Sequence, residues 1–187
     1  MEFLSYLLLL VLGASAVVAD PTALTKINAH DLQERGCLSD SQSRQIVDTF
    51  NYLLANPNAS DFNATVNALL ADDYSEWSDS INFIIHIPLG QPTFTSKAEF
   101  ISGSGSQPPL TLKTLDIFHD CNRISWRWVS VQGAGNDADE VKGINNFYIN
   151  KQGQIKTTYV EFNSAAWLYN LGQPECQAVL SRRRNDN

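Results

Sequence analysis

The segment from residue 141 to residue 162 reads VKGINNFYINKQGQIKTTYVEF, and its pattern decides the fold. Two runs within it, Val141–Ile149 and Ile155–Phe162, have the length and the β-branched and aromatic content of strands. Between them lies Asn150–Gln154, in which Gly153 supplies the positive φ of a hairpin turn. The segment therefore predicts an antiparallel hairpin that forms the last two strands of a sheet.

Two further strands are predicted immediately before this hairpin. Leu110–His119 and Ile124–Gln132 are apolar runs with strand periodicity, and the three residues Asp120-Cys121-Asn122 join them. A polar loop, 133–140, leads on to the hairpin. Four consecutive strands with short polar connections predict an antiparallel meander.

The region before residue 110 has helical periodicity instead. Ser39-Asp40-Ser41-Gln42 and Ser96-Lys97-Ala98-Glu99 have the spacing of capping boxes, which start helices. A second helix is predicted between them around Phe62–Leu70, and the stretch from Tyr74 to His86 is predicted to be extended. Apolar side chains recur at helical spacing in the first helix at Ile46, Val47, Phe50, Leu53 and Leu54. Helices followed by a meander predict an α+β domain, with three N-terminal helices packed on the concave face of a curved, antiparallel-rich sheet.

Size and charge exclude several classes of protein. The chain has 187 residues, which is room for one domain, and its composition is that of a globular protein. Its 13 basic and 20 acidic residues give a formal charge of −7. The one basic run, Arg182-Arg183-Arg184, lies at the end of the chain, so we expect no nucleic-acid partner.

The N-terminus has the pattern of a secretory signal peptide. An apolar run, Leu4–Leu12, is followed by small residues that end at Ala19. We therefore expect a signal peptide at 1–19, an N-terminal arm at 20–38, the folded domain at 39–172 and a tail at 173–187. Because no later run approaches the length of a bilayer span, the mature protein is expected to be secreted and extracellular, without a membrane partner.

Two glycosylation sequons and three cysteines agree with export. Asn58 and Asn63 each begin an Asn-x-Ser/Thr triplet without proline. The cysteines, Cys37, Cys121 and Cys176, lack the spacing of a zinc site, and two of them are expected to pair in an oxidising compartment. Cys37 and Cys176 flank the core, which favours a bridge between them. The third cysteine is then either a buried thiol or an intermolecular link.

Three motifs in this order resemble the nuclear transport factor 2-like superfamily. They are Leu69-Leu70-Ala71-Asp72-Asp73-Tyr74, Gly143–Ile149, and Gly153-Gln154-Ile155 running into Tyr159–Phe162. The superfamily includes ketosteroid isomerase, scytalone dehydratase and the SnoaL-type polyketide cyclases. The resemblance covers about Asp40 to Leu171, and its details are most similar to small secreted fungal members without an established reaction. It implies a cone-shaped domain whose open end admits a small apolar molecule.

The isomerases of this superfamily imply positions for catalytic residues. Their carboxylate base falls near Ser78 or Asp79, the phenol of their oxyanion hole falls near Phe50, and their later-strand acid falls at Asn145. Phe50 has no hydroxyl, so the set is incomplete here unless Tyr159 or Tyr52 replaces the phenol.

Asp79, Asn145 and His86 are the candidate catalytic residues. Asp79 would be a base if it were buried against Trp77 and Trp128, since desolvation raises a carboxyl pKa, and Asn145 would donate an amide hydrogen bond. His86 is the histidine available for dehydratase-like chemistry. The ordinary alternatives are a solvated Asp79 and a structural, half-buried His86. The candidate ligand-binding residues are Phe50, Trp77, Trp128, Phe147 and Tyr159.

Motifs for other chemistry are absent from the sequence. It has no nucleophile elbow, no His-Glu-x-x-His helix and no phosphate loop, so we expect neither a metal nor a cofactor. Three functions remain open: a binding protein for a small apolar molecule, a cofactor-free isomerase, dehydratase or cyclase, and an interaction module that uses the outer sheet face, with a homodimer as one form.

Overall fold

The computed structural model describes residues 36–130, 139–173 and 176. The predicted signal peptide, most of the predicted arm and nearly all of the predicted tail lie outside these residues. The elements in chain order are α1 (Asp40–Ala55), α2 (Phe62–Leu69), β1 (Leu70–Trp77), α3 (Asp79–Ile84), β2 (Pro92–Phe94), α4 (Lys97–Ser104), β3 (Lys113–His119), β4 (Arg123–Ser130), β5 (Val141–Ile149), β6 (Ile155–Phe162) and α5 (Ser164–Asn170). The α+β prediction is confirmed.

The strands form one curved sheet in the order β2-β1-β6-β5-β4-β3. β3 to β6 are the antiparallel meander that the sequence predicts, whereas β1 runs parallel to β6 and antiparallel to β2. Inward and outward residues alternate most regularly in β5, where every second residue from Val141 to Ile149 is buried. One face of the sheet therefore builds the core with the helices, and the other faces away from them.

Helix α1 begins at the predicted capping box. The Gln42 side chain accepts a hydrogen bond from the Ser39 backbone N–H at 2.8 Å, and the Ser39 hydroxyl accepts one from the Gln42 N–H at 3.3 Å. The buried side of α1 is its apolar stripe, with Ile46, Val47 and Leu53 fully enclosed. This stripe lies against the sheet because helical spacing places those side chains on one face.

The prediction that Tyr74–His86 is extended was wrong for the part after Trp77, which is largely helical. The chain leaves β1 at Trp77 and turns into α3, which begins at Asp79. The Ser78 hydroxyl caps the new helix by accepting a hydrogen bond from the Ile81 N–H at 2.9 Å. The Glu161 carboxylate of β6 accepts from the backbone N–H groups of Asp79 and Ser80 at 2.8 and 3.0 Å, which fixes α3 to the sheet.

The predicted disulfide between Cys37 and Cys176 was also wrong. Cys37 is bonded to Cys121, 84 residues away in the turn between β3 and β4, and Cys176 is free. The neighbouring backbone explains the pairing: the Leu38 N–H donates to the Cys121 carbonyl at 3.0 Å, and His119 Nε2 lies 2.8 Å from the Asp40 carboxylate. These contacts hold the start of α1 against the turn.

The two sequon asparagines, Asn58 and Asn63, are exposed. Asn58 lies in the connection after α1, and Asn63 lies in the first turn of α2. Within the described part of the chain, none of the helices is long and apolar enough to cross a membrane.

Candidate functional site

A cavity of about 700 Å³ lies between the inner face of the sheet and the helices. Its lining is mostly apolar: Phe50, Leu54, Ile81, Ile84, Ile85, Phe94, Phe100, Pro108, Leu110, Leu112, Trp128, Val160, Phe162, Trp167 and Leu171. Four polar residues of the described chain join them: Glu76, Ser104, Gln107 and Asn145. Ile85 and Leu171 are 46% and 52% exposed, which marks the mouth of the cavity. A concave apolar site with a few polar groups is the usual form of a small-molecule pocket.

The carboxyl group in this cavity belongs to Glu76, near the end of β1. Glu76 is 4% exposed, and its Oε2 accepts a hydrogen bond from the Tyr74 hydroxyl at 2.7 Å. The same phenolic oxygen lies 3.1 Å from the Thr158 Oγ1. Because a phenol has only one proton to donate, the Thr158 hydroxyl donates to Tyr74 while Tyr74 donates to Glu76. This chain of hydrogen bonds fixes one oxygen of the carboxyl group.

The surroundings of Glu76 change its acidity. Burial disfavours the carboxylate and raises the pKa of Glu76 to about 7, although the hydrogen bond from Tyr74 opposes part of this effect. The pKa of Tyr74 itself is raised well above its ordinary value, first by burial and then by the neighbouring Glu76 charge, so the phenol keeps its proton. At neutral pH the carboxyl group of Glu76 is therefore present in both its protonated and its ionised form.

Asn145 on β5 has a fixed orientation in the same cavity. The indole N–H of Trp128 donates to the Asn145 Oδ1 at 2.8 Å, and both side chains are buried. Since an indole N–H cannot accept, the atom that faces it must be the amide oxygen. The amide NH₂ group therefore remains as a hydrogen-bond donor.

Trp128 owes its position to Gly143, its cross-strand partner on β5. The Trp128 ring lies so close to the Gly143 backbone that any Cβ at residue 143 would overlap it. A glycine is therefore required beneath the indole that orients Asn145.

Three of the five predicted ligand-binding residues lie on the inner face of the sheet or on α1. Phe50 and Trp128 line the cavity. Phe147 does not line it and is fully buried in the core, where its ring lies 4.9 Å from that of Phe50. Tyr52 was considered as a replacement for the missing phenol of the oxyanion hole. Its hydroxyl donates a hydrogen bond to the Asp61 carboxylate at 2.9 Å.

Trp77 and Tyr159 lie on the opposite face of the sheet, so a cavity role does not fit them. Each follows an inward-facing residue, Glu76 and Thr158 respectively, and strand alternation turns it outward. Their rings stack on each other with centroids 6.4 Å apart.

Asp79 and His86 do not line the cavity either. Asp79 is exposed at the start of α3, and its carboxylate accepts from the Gly90 N–H at 2.6 Å. His86 is exposed after α3, with a φ of 61°. Burial against Trp77 and Trp128, on which a base role for Asp79 depended, is absent because the chain turns into α3 at Ser78. Of the three candidate catalytic residues, the cavity contains Asn145.

Glu76 is the polar group that the sequence reasoning missed. The signal was present, because Tyr74 and Glu76 are two residues apart and a strand places such residues on one face. The base position carried over from the isomerases fell two or three residues further along, at Ser78 or Asp79. The β1–β6 pairing shifts register between Leu70 and Ser75, so simple alternation from the start of the strand does not identify the inward residues.

No group of three or more metal-ligating side chains occurs among residues 36–130, 139–173 and 176. Among the residues that the structure describes, those that line the cavity include no lysine, arginine or histidine. Its chemistry therefore rests on one carboxyl group, one oriented amide and a small number of neutral polar groups.

Comparison with known proteins identifies the family. A model of the NTF2-like domain matches residues 36–174. An NTF2-like protein of unknown function from Burkholderia pseudomallei is similar in structure, with a TM-score of 0.53 and 15% identity over 72% of this chain and 98% of that one. A protein assigned to the SnoaL-like polyketide cyclases, from Jannaschia sp. CCS1, has a TM-score of 0.51 and 10% identity over 73% of this chain and 98% of its own.

The comparison with curated protein sequences gives no match. The family model spans the described helices, all six strands and the cavity between them. The chain is therefore a member of the NTF2-like domain family.

Proposed function

We propose that the cavity binds a small, largely apolar molecule and that Glu76 acts on it as a general acid and base. The reaction class is a cofactor-independent isomerisation, elimination or cyclisation. The observation that carries the proposal is a carboxyl group buried in an apolar cavity with its pKa near 7. A catalytic acid or base is most efficient when its pKa lies near the working pH.

Asn145 supplies the second part of the mechanism. When Glu76 removes a proton from carbon next to a carbonyl group, negative charge develops on the carbonyl oxygen. The amide NH₂ of Asn145 is a fixed donor for that oxygen, and in a dry cavity such a hydrogen bond stabilises charge more than it does in water. Glu76 then returns the proton to a different atom of the bound molecule.

Sheet geometry sets the minimum length of a molecule that contacts both Glu76 and Asn145. Glu76 pairs with Thr158, whereas Asn145 pairs with Val160, which lies two residues further along β6. With ordinary strand spacing, the Cα atoms of Glu76 and Asn145 are about 12 Å apart. A molecule that contacts both groups therefore extends across the floor of the cavity. An uncharged molecule is favoured because the described part of the lining holds no cationic side chain.

The test is deuterium exchange into a panel of cyclic ketones in D₂O, because exchange next to a carbonyl group requires only the proton-removal step. The protein is expected to accelerate exchange in at least one ketone. Glu76→Gln should slow that exchange by about 10²- to 10⁴-fold, since it removes the base, while quenching of Trp fluorescence by the ketone stays unchanged.

Asp79→Asn is the matched control, because Asp79 is a nearby carboxylate outside the cavity. It should leave the exchange rate as it is in the unmodified protein. Exchange that survives Glu76→Gln, or that is lost in Asp79→Asn, would contradict the proposed role. Ketone binding without exchange in any variant would identify a binding protein instead.

Export is part of the same proposal. The apolar segment before Ala19, the exposed Asn58 and Asn63, and the disulfide between Cys37 and Cys121 all support an extracellular protein with glycans at one or both sequons.

A further inference from the structure

The polar residues of the cavity lining form two pairs at different places in the fold. Glu76 and Asn145 belong to strands β1 and β5 of the sheet, and the proposed function uses both of them. Ser104 and Gln107 belong to the last turn of α4 and to the connection that follows it, on the helical side of the cavity. The proposed function leaves this second pair without a role.

Gln107 carries a buried donor that the described part of the chain does not satisfy. Its side-chain Nε2 is enclosed and has no hydrogen-bond partner among the described residues. The other buried side-chain atom without a partner there is Asn51 Oδ1, but Asn51 does not line the cavity. An unpaired buried amide destabilises a folded protein, so buried polar groups are nearly always paired. The exception at Gln107 lies where a bound molecule can supply the missing partner.

The backbone on both sides of Gln107 is fixed, so the position of its amide is defined. The Gln107 N–H donates to the Ser104 carbonyl at 3.3 Å. Three residues further on, the Leu110 N–H donates to the Leu54 carbonyl of α1 at 2.9 Å. The last torsion of a glutamine side chain is broad, so an amide without a partner can turn its NH₂ group towards a ligand. Gln107 is therefore a donor held in place at the cavity wall.

We propose that Gln107 binds a second oxygen atom of the ligand, at the other end from the carbonyl group that Asn145 binds. The inference rests on the ligand binding in the proposed function and narrows the ligand to a class. The class is neutral, largely apolar molecules that carry an acceptor oxygen at each end, such as diketones. The Gln107 NH₂ group donates to the second oxygen, and the Ser104 hydroxyl is a further donor on the same side of the cavity. A monoketone of the same shape leaves the Gln107 donor buried and unpaired.

The test is quenching of Trp fluorescence by three pairs of cyclic ketones of increasing length, in which the two members of a pair differ by one carbonyl oxygen. The pairs are cyclohexane-1,4-dione and cyclohexanone, decalin-2,6-dione and 2-decalone, and bicyclohexyl-4,4′-dione and 4-cyclohexylcyclohexanone. Trp128 lines the cavity and therefore reports on binding. In at least one pair the diketone is expected to bind about tenfold more tightly, because a site with a buried donor rejects the analogue that lacks the acceptor.

Gln107→Met should remove this preference, since methionine has nearly the same length as glutamine but no donor. Binding of the diketone should weaken about tenfold, whereas binding of the monoketone should stay unchanged or become tighter. Gln152→Met is the matched control, because Gln152 is an exposed glutamine in the turn between β5 and β6. Gln152→Met and Glu76→Gln should both keep the preference for the diketone. The urea midpoint of ligand-free Gln107→Met should equal or exceed that of the unmodified protein, since the variant loses an unpaired buried donor.

Three results would overturn the assignment. The first is equal binding of both members in every pair, which an ordered water molecule bound to Gln107 would produce. The second is a preference for the diketone that survives Gln107→Met. The third is a lower urea midpoint for that variant, which would show that the amide has a partner in the folded protein.

The same measurements separate this inference from the proposed function. Equal binding within the pairs, with deuterium exchange intact, would overturn the role of Gln107 alone. Absence of exchange, with the preference for the diketone intact, would overturn the acid–base role of Glu76 alone. Failure of all six ketones to bind would contradict both.

Discussion

Replacing both Cys37 and Cys121 by serine is expected to lower the free energy of unfolding by about 4 kcal/mol. The bond closes a loop of 84 residues, which contains the four helices α1 to α4 and the strands β1 to β3. Opening the loop gives the unfolded chain more conformations, so the loss arises mainly in the unfolded state. Denaturation in urea measures the effect directly.

The control for this experiment is Cys176→Ser, which removes the free and half-buried thiol. Its effect on the free energy of unfolding should stay within about 0.5 kcal/mol. A reducing agent should destabilise the unmodified protein but leave the Cys37/Cys121 double variant unchanged. Equal stability of the double variant and the unmodified protein would contradict the bond, and a large effect of Cys176→Ser would indicate that Cys176 takes part in the pairing.

Glu76→Gln is expected to stabilise the protein by about 3 kcal/mol more at pH 8 than at pH 4. Burial raises the pKa of Glu76 to about 7 from its ordinary value of 4.5. Between these two pH values the folded state holds a proton that the unfolded state releases, so the free energy of unfolding falls as pH rises. Below pH 4.5 Glu76 is protonated in both states, so it does not destabilise the folded protein. Above about pH 7 the carboxyl group is ionised in both states, and the destabilisation no longer changes with pH.

Glutamine is suited to this comparison because its amide oxygen can still accept the hydrogen bond from Tyr74. The free energies of unfolding of the variant and the unmodified protein should be measured by denaturation at several pH values. Their difference at each pH cancels the contribution of the other titratable groups, which both proteins share. Glu99→Gln serves as a control, because its effect on the free energy of unfolding should depend on pH in the opposite direction. Hydrogen bonds from the Thr95 backbone and hydroxyl lower the pKa of Glu99, so its carboxylate favours folding above that pKa. A Glu76→Gln difference that does not depend on pH would contradict the buried, shifted carboxyl group.

Much of the fold could be predicted from local sequence signals. The capping box at Ser39, the apolar stripe of α1 and the four strands of the meander are encoded within a few residues of where they form. The parallel pairing of β1 with β6 and the turn into α3 could not be read in this way. Both depend on residues about 80 positions later in the chain: β1 pairs with β6, and the start of α3 is held by the Glu161 carboxylate.

The cysteine pairing shows a second limit of prediction from the sequence. Three cysteines allow three different single bonds, and sequence position favoured the two that flank the domain. The observed choice follows from the tertiary approach of the α1 start to the β3–β4 turn, which brings the Cys37 and Cys121 Cα atoms within 3.7 Å of each other. No local pattern records that approach.

The site was predicted only in part, because the sequence indicates where helices and strands lie but not which strand residues face inward. Phe50, Trp128 and Asn145 lie where the predicted cavity needed them, because the superfamily resemblance carries the positions of helices and strands. Trp77 and Tyr159 were assigned to the wrong face, since a strand's inward side depends on its pairing register. Glu76 was missed because the base position carried over from the isomerases fell two or three residues further along, at Ser78 or Asp79, where the chain has already left β1.

A measured pKa of Glu76 is the most direct test of the acid–base role proposed for the cavity. ¹³C NMR of protein labelled at the glutamate side-chain carboxyl carbons follows each glutamate through a pH titration, and Glu76→Gln assigns the resonance. We expect one glutamate with a midpoint near pH 7 that is missing from the variant. A Glu76 resonance that titrates near pH 4.5 or below would show an ordinary carboxylate, and the acid–base role proposed for the cavity would fail with it.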